Sequence, residues 1–455
     1  MSKRLFPLFI VCVTIVLLGF GCRGLSTEER TAIRPVTLNY WTVFDDVTVL
    51  RQFANEYMAQ RPYVKINIRK VRYDEFDSVF TTALADDIGP DVVSMHNRWL
   101  GKHRHRLSTM PGSVRVANVE IKEGFKNETI VTIEERRLRG EREIEKEFVD
   151  AVYKDVVRDG EIYGLPLAFD TLAIYYNKEL LDRAGVPLPP STWDDFAEAV
   201  KQSTVFNSRG DIIQSGVALG EGANISNAFD IVSLLIAQSG VPMSERGRVS
   251  FHNGLERNKE NHPTRKAIRF FTDFANPTAD VYSWNNKQEN AFDHFVNGKS
   301  VFYFGFAFER QRIEARAPQM NLNVIAVPTL KTEANVANYW IESVVKKTEH
   351  PNEAWDFVRY MTTPANIARY ITKTGQPTPL RAQYRAQLED DDLSSFASQI
   401  LQAENWYTGK NIDAAEEAID NLIEGFKESV GDRVQPSQRD AALIINAARI
   451  IQQTL

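Results

Sequence analysis

YGLPLAFDTLAIYYNKELLDRAGVPLPPSTWDDF, residues 163–196, decides how this chain is read. Gly164 and Pro166 punctuate its entry. Residues 167–176 are almost wholly apolar or aromatic, which predicts a strand buried on both faces. Asp170 is the exception inside that run. Pro187, Pro189 and Pro190 then hold the chain extended. Thr192, with Asp195 three residues on, predicts a capped helix start.

Five further stretches belong with it. They are LNYWTVFDD (38–46), GPDVVSMHNRW (89–99), FVNGKSVFYFGFAFERQ (295–311), HPNEAWDFVRYMTTPANIARY (350–370) and TGQPTPLRAQ (374–383). Each is weak alone, but in this order they resemble the family 1 extracellular solute-binding proteins of ATP-binding-cassette importers. The resemblance implies an α/β, two-lobed periplasmic-binding-protein fold of type II, with a mainly parallel sheet in each lobe and a hinged cleft between them. It also implies that residues 167–176 cross from the first lobe to the second under the ligand cleft.

The N-terminus is legible without the family. Lys3 and Arg4 precede an apolar run over residues 5–20, short for a membrane span but suited to a signal-peptide core. Gly21-Cys22 then resembles a lipobox, although Gly19 stands where Leu is usual. The expectation is a signal peptide over 1–21, a lipid anchor on Cys22 and a polar linker over 22–35, with an uncut membrane anchor as the alternative. Either places the domain outside the cytoplasmic membrane. The other cysteine, Cys12, lies in the signal core, so the mature domain has no disulfide and relies on its packed interior. About 430 mature residues predict two lobes. The formal charge of −6 becomes −8 once Lys3 and Arg4 are discounted, which argues against nucleic acid as a partner. No internal repeat or low-complexity tract stands out.

Along the chain, a helix over about 45–60, a strand over 64–71, a helix over 73–85 and a strand over 90–94 predict an opening β-α-β-α-β lobe. Lobe 1 is expected over 36–168 plus about 346–403, and lobe 2 over 169–345 plus about 404–455. Residues 102–147 depart from the compact pattern. KHRHR (102–106) reads as a solvated loop or helix rather than a metal or phosphate patch, and 134–147 as an exposed, charge-paired helix. Residues 414–427 and 439–454 read as amphipathic helices.

Enzyme signatures are missing: no His-Glu-x-x-His, Gly-x-Ser-x-Gly, Walker loop or Gly-x-Gly-x-x-Gly. No catalytic residue, cofactor or metal is expected. The recognition signal is aromatic. Sugars lay C–H faces on aromatic rings while their hydroxyls seek polar partners, so Trp and Tyr beside Asp, Asn, Glu and Arg suit saccharides. Trp193 and Trp355 fall on helices and read as core. The resemblance implies a cleft built from Trp41, Asp45 and Asp46 after the first strand, and from His96, Asn97, Arg98 and Trp99 after the third. It adds Phe169 and Asp170 at the crossing, Phe306 and Phe308 after the Gly-Lys strand, and Trp340 and Glu342 at the return. Trp284 and Trp406 are weaker candidates. For Asp45 and Asp46 helix capping stays open, and for Asp170 a bond to backbone N–H groups at the hinge. The expected role is a monomeric solute-binding subunit that passes a mono- or oligosaccharide to membrane permease subunits. A secreted carbohydrate-active hydrolase and a non-transport sensor or surface lipoprotein are the alternatives.

Overall fold

The computed structural model describes residues 25–122, 128–428 and 435–455. The expected signal segment and the lipidation site Cys22 lie outside the described residues. No helix among the described residues is long and apolar enough to cross a membrane.

Two sheets organise the chain. The first takes strands Val64–Lys70, Val36–Thr42, Val92–His96, Trp340–Val344 and Leu165–Pro166, in that spatial order. Its first three strands are parallel, and the last two run antiparallel to their neighbours. The second sheet is mixed and more antiparallel than parallel, not the mainly parallel sheet the resemblance implies, because strand Asp170–Asn177 pairs antiparallel with all of its neighbours. Its order is Val205–Phe206, Ile212–Val217, Ser300–Phe306, Asp170–Asn177, Asn335–Asn338 and Ala403–Glu404, with Leu322–Ala326 also on Asp170–Asn177. Every residue of Asp170–Asn177 is buried, as its apolar run predicts.

Local chemistry sets the element ends. The Asp46 carboxylate accepts from the N–H of Thr48 (2.7 Å) and Val49 (3.1 Å), starting helix Val47–Gln60. That helix buries Val49, Leu50, Phe53, Ala54 and Tyr57 on one face. Thr192 accepts from the Asp195 N–H (3.1 Å) at the head of helix Trp193–Ser203. Gly164 answers to packing. A Cβ there would stand 2.5 Å from Ile341 Cγ2 and 2.6 Å from the Glu342 carbonyl oxygen, so only glycine lets residues 163–166 lie against the return strand.

The chain passes between the sheets three times. Residues 167–169 make the first crossing. Tyr339 makes the second, since Asn335–Asn338 pairs in the second sheet and Trp340–Val344 in the first. The chain is therefore back in the first sheet by residue 340, before the expected 346. The third passage lies between helices Arg381–Leu388 and Ser394–Ala397. The former packs on Glu141–Glu147, and the latter on Asp170–Asn177 and Leu322–Ala326, so this passage comes before the expected 403.

Residues 102–147 differ from the sequence reading. Strands Ser113–Lys122 and Glu128–Arg137 form an antiparallel ribbon, and of the stretch 134–147 read as helix only Glu141–Glu147 is helical. Residues 129–133, TIVTI, are all β-branched, and this outweighed the charge pairing read as helical. In KHRHR, His103 is buried against Phe76 and Phe80 and pairs with Asp77 through Nε2 (3.1 Å). Burial pushes its pKa down to about 4.

Candidate functional site

The first two crossings run side by side and build the floor of a cleft. Phe169 stacks on Tyr339, with ring centroids 5.1 Å apart. The Tyr339 hydroxyl donates to Asp155 (2.6 Å), and Asn405 donates to the other oxygen of Asp155 (3.2 Å). One carboxylate thus ties a first-lobe helix to a crossing and to the far side. Burial pushes the pKa of Asp155 up to about 6.

Above this floor the walls are aromatic. Phe44, in the turn after the first strand, meets Phe308 of the second lobe edge-on at 4.5 Å and lies parallel to Trp340 at 6.0 Å. Where these rings meet, a space of about 20 Å³ is left, lined by Asp45, Asn338, Tyr370 and Gln376 among others. That holds roughly one water. Next to it the cleft widens to about 600 Å³ between residues 43–46 and 70–73 of one lobe and 308–312 of the other. Phe44, Asp45, Phe308, Tyr370 and Gln376 line both spaces.

The candidates divide by position. Asp45, Phe308 and Trp340 line the inner space, and Asp46 the wider one. Asp46 caps its helix, and Asp45 is committed too. It accepts from the hydroxyls of Thr42 (2.6 Å), Ser94 (2.5 Å) and Tyr370 (3.0 Å). Asp170 touches the inner space but is almost fully buried. Its oxygens accept from the N–H of Ala307 (2.9 Å) and Phe308 (3.0 Å), and from its own neighbour Thr171 (2.9 Å). Of its two readings, the hinge bond to backbone is the one made. Asp170 thereby fixes the turn that presents Phe308. Burial pushes its pKa up to about 8, against the pull of those three donors.

Other candidates lie inside the lobes. Glu342, on the return strand, is fully buried and accepts from Tyr40 (2.5 Å) and Ser94 (3.2 Å). Burial first, then the nearby Asp45, pushes it well above the usual carboxylate range. Trp340 and Glu342 share one face of the return strand: Trp340, its first residue and paired with His96, reaches the cleft, whereas Glu342, paired with Ser94, lies deeper in the lobe. Trp41 packs in the first lobe with the Arg69 guanidinium 4.7 Å over its ring. Trp284 is fully buried in the second lobe, its indole N–H donating to Asn224 (3.0 Å). Trp406 stacks on Phe229 and donates to Ser233 (3.0 Å). Phe169 and Phe306 are buried, the latter behind Phe308.

The residues after the third strand join the lobes rather than line the cavity. Arg98 is nearly buried and ion-pairs with Asp230 and, at 3.6 Å, with Glu416, both on second-lobe helices. Asn97 donates to the Ala337 carbonyl (3.0 Å). His96 accepts the Arg98 N–H at Nδ1 and meets Asn338 at Nε2 (3.0 Å), while burial pushes its pKa down to about 3. Trp99 stacks on Phe76 at 4.9 Å and touches the edge of Trp340. Gly101 is pressed against the second lobe. A Cβ there would meet the carbonyl oxygens of Thr408 and Gly409 at 2.3 Å.

The sequence reading missed Phe44, Tyr370 and Gln376. Phe44 did carry a signal, being an apolar ring in a polar turn, FDD. Tyr370 and Gln376 lie on a helix and loop far along the chain and carried none. Among the described residues, no group of three or more His, Cys, Asp or Glu is placed to hold a metal ion.

Two lobes, three crossings and an aromatic cleft over a hydrogen-bonded hinge define a protein that encloses a solute between lobes. The profile of the bacterial extracellular solute-binding protein family matches residues 52–395. The chain belongs to that family, whose members are extracellular binding proteins. It is similar to the multiple sugar-binding protein of Streptococcus mutans, 24% identical over 394 residues, covering 83% of each chain. It is also similar to the maltodextrin-binding protein MdxE of Bacillus subtilis, 25% identical over 317 residues, covering 66% of this chain and 70% of the relative. Among solved structures it resembles the sugar-binding protein MalE of Xanthomonas citri, with a TM-score of 0.67 at 17% identity, covering 92% and 98% of the two chains. It resembles a cyclo/maltodextrin-binding protein complexed with maltotetraose to a similar degree, with a TM-score of 0.66 at 16% identity over 92% and 97%. At these identities the structural likeness shows the fold.

Proposed function

We propose that this protein captures a saccharide in its interlobe cleft and delivers it to the permease subunits of an ATP-binding-cassette importer. The observation that carries this reading is the set of rings Phe44, Phe308 and Trp340, drawn from both lobes and converging on one cleft. Sugar C–H faces would lie on these rings, while Gln376, Asn338 and the Tyr370 hydroxyl supply polar partners. The sugar-binding relatives support the same ligand class. The sugar would separate Phe44 from Phe308 and replace their contact with its own. Because it touches both lobes, it favours the closed arrangement by its differential affinity. Cys22 would hold the domain at the outer face of the membrane, with more than one acyl chain for a stable anchor. No bond-making step belongs to this role. A panel of mono- and oligosaccharides, read by thermal shift and tryptophan emission, tests it. A ligand-dependent rise in melting temperature with an emission change is expected, and a flat response across the panel overturns the sugar assignment.

A further inference from the structure

We infer that the saccharide this cleft prefers carries an anionic group, a carboxylate as in a uronic acid. The inference rests on the sugar-binding reading and narrows it. The chain is acidic overall, at −6, yet Lys70, Arg72 and Arg312 line the wide part of the cleft. The two carboxylates there are already engaged. Asp45 is buried and holds three hydroxyl donors, and Asp46 caps helix Val47–Gln60. Arg72 is balanced by Asp74 on the solvent side (2.7 Å). Neither Lys70 nor Arg312 forms an ion pair among the described residues, although Arg312 lies near the buried Glu309, and both cations are exposed. The Arg312 guanidinium rests on the Phe292 ring at 4.5 Å, a contact that leaves its N–H fork available to a ligand.

The two unpaired cations stand on opposite lobes. Lys70 ends a first-lobe strand, and Arg312 lies on the second-lobe helix Arg310–Arg316. An anion held between them stabilises closure, since it meets both charges only when the lobes approach. Guanidinium groups match carboxylates in a bidentate way, and the rings of Phe44 and Phe308 sit beside them for the sugar face. A neutral sugar would gain nothing from either cation.

Calorimetry on the whole mature protein tests this with a uronic-acid oligosaccharide, its neutral counterpart of the same linkage, and the corresponding sugar phosphate. The expected result is about tenfold tighter binding of the uronate than of the neutral sugar, the scale of one charge-assisted hydrogen bond. Raising the salt to about 0.5 M should shrink that preference. Lys70→Glu and Arg312→Gln should each reduce the ratio of uronate to neutral affinity, with the melting temperature of the unliganded protein preserved. The sugar phosphate arm distinguishes carboxylate from general anion binding, and phosphate preference overturns the carboxylate assignment. If the neutral sugar binds as well as the uronate, the inference fails while the saccharide reading stands. If none of the three binds, both fail.

Discussion

The interiors of the lobes and the cleft between them use the same residue types for opposite ends. Trp284 and Trp355 are sealed in the lobes and touch only protein. Phe44 is more than a third exposed, and Trp340 and Phe308 are half-buried, held in place by groups beneath them. The difference lies in support. An interior ring is fixed by packing on every side, whereas a cleft ring is fixed by a hydrogen-bonded base such as Asp170 under Phe308. The lobes therefore give stability, and the cleft gives recognition at little cost to it.

The widest separation between the two sets comes from Trp355→Ala. It should cost about 3–5 kcal/mol of unfolding free energy, since a buried ring leaves a cavity. Denaturant unfolding measures it, and a loss below about 1 kcal/mol would mean that Trp355 is not core. Arg98→Ala comes next. Asp230 would be left buried without its counter-charge, at a cost of about 3 kcal/mol to the closed arrangement. The unliganded protein should open measurably in small-angle scattering, and an unchanged radius of gyration would remove Arg98 as a clamp. Trp340→Ala should then reverse the pattern, with saccharide affinity falling by about 2 kcal/mol, roughly thirtyfold, while thermal stability changes far less than in Trp355→Ala. Equal losses in both would erase the distinction between core and cleft.

Per group and per pH unit, the smallest expected effect is pH dependence at the hinge. Asp170 and Asp155 are buried carboxyls with pKa values pushed up to about 8 and about 6. In the folded state each keeps a proton that the unfolded chain gives up near pH 4. Their contribution is therefore fully present below about pH 4 and is lost as pH rises, through about 6 for Asp155 and about 8 for Asp170. Each group adds a slope of up to about 1.4 kcal/mol per pH unit in its window. Stability curves from pH 4 to 8 should show this decline, and Asp170→Asn should flatten its upper part. A rise in stability over that range would contradict the burial assigned to both.

Much of the fold was legible because the pattern was local. The apolar run ending at Tyr176, the Thr192 cap and the amphipathic C-terminal helices are each set by near neighbours, and they stand as helices Trp193–Ser203, Ile412–Lys427 and Pro436–Gln452 and a buried strand. The ribbon of Ser113–Lys122 and Glu128–Arg137 was hidden because charge pairing at helical spacing competes with a β-branched run, and only strand pairing decides between them. Trp41, Trp284 and Glu342 carried the composition of a binding site. Which face of a strand or loop meets the cleft depends on the twist of a sheet whose strands are distant in sequence.

The sequence by itself determined the apolar run over 167–176 and the one polar residue within it, because burial and periodicity write these into neighbouring residues, while the class of fold and the crossing followed from the resemblance to a known family. Tertiary structure decided what Asp170 does, where the chain returns at Tyr339, and that Phe44, Tyr370 and Gln376 meet. Those outcomes rest on contacts across more than a hundred residues of separation, such as the Ala307 and Phe308 N–H groups reaching Asp170. No local pattern encodes them, since the energy that selects them appears only when both lobes are built.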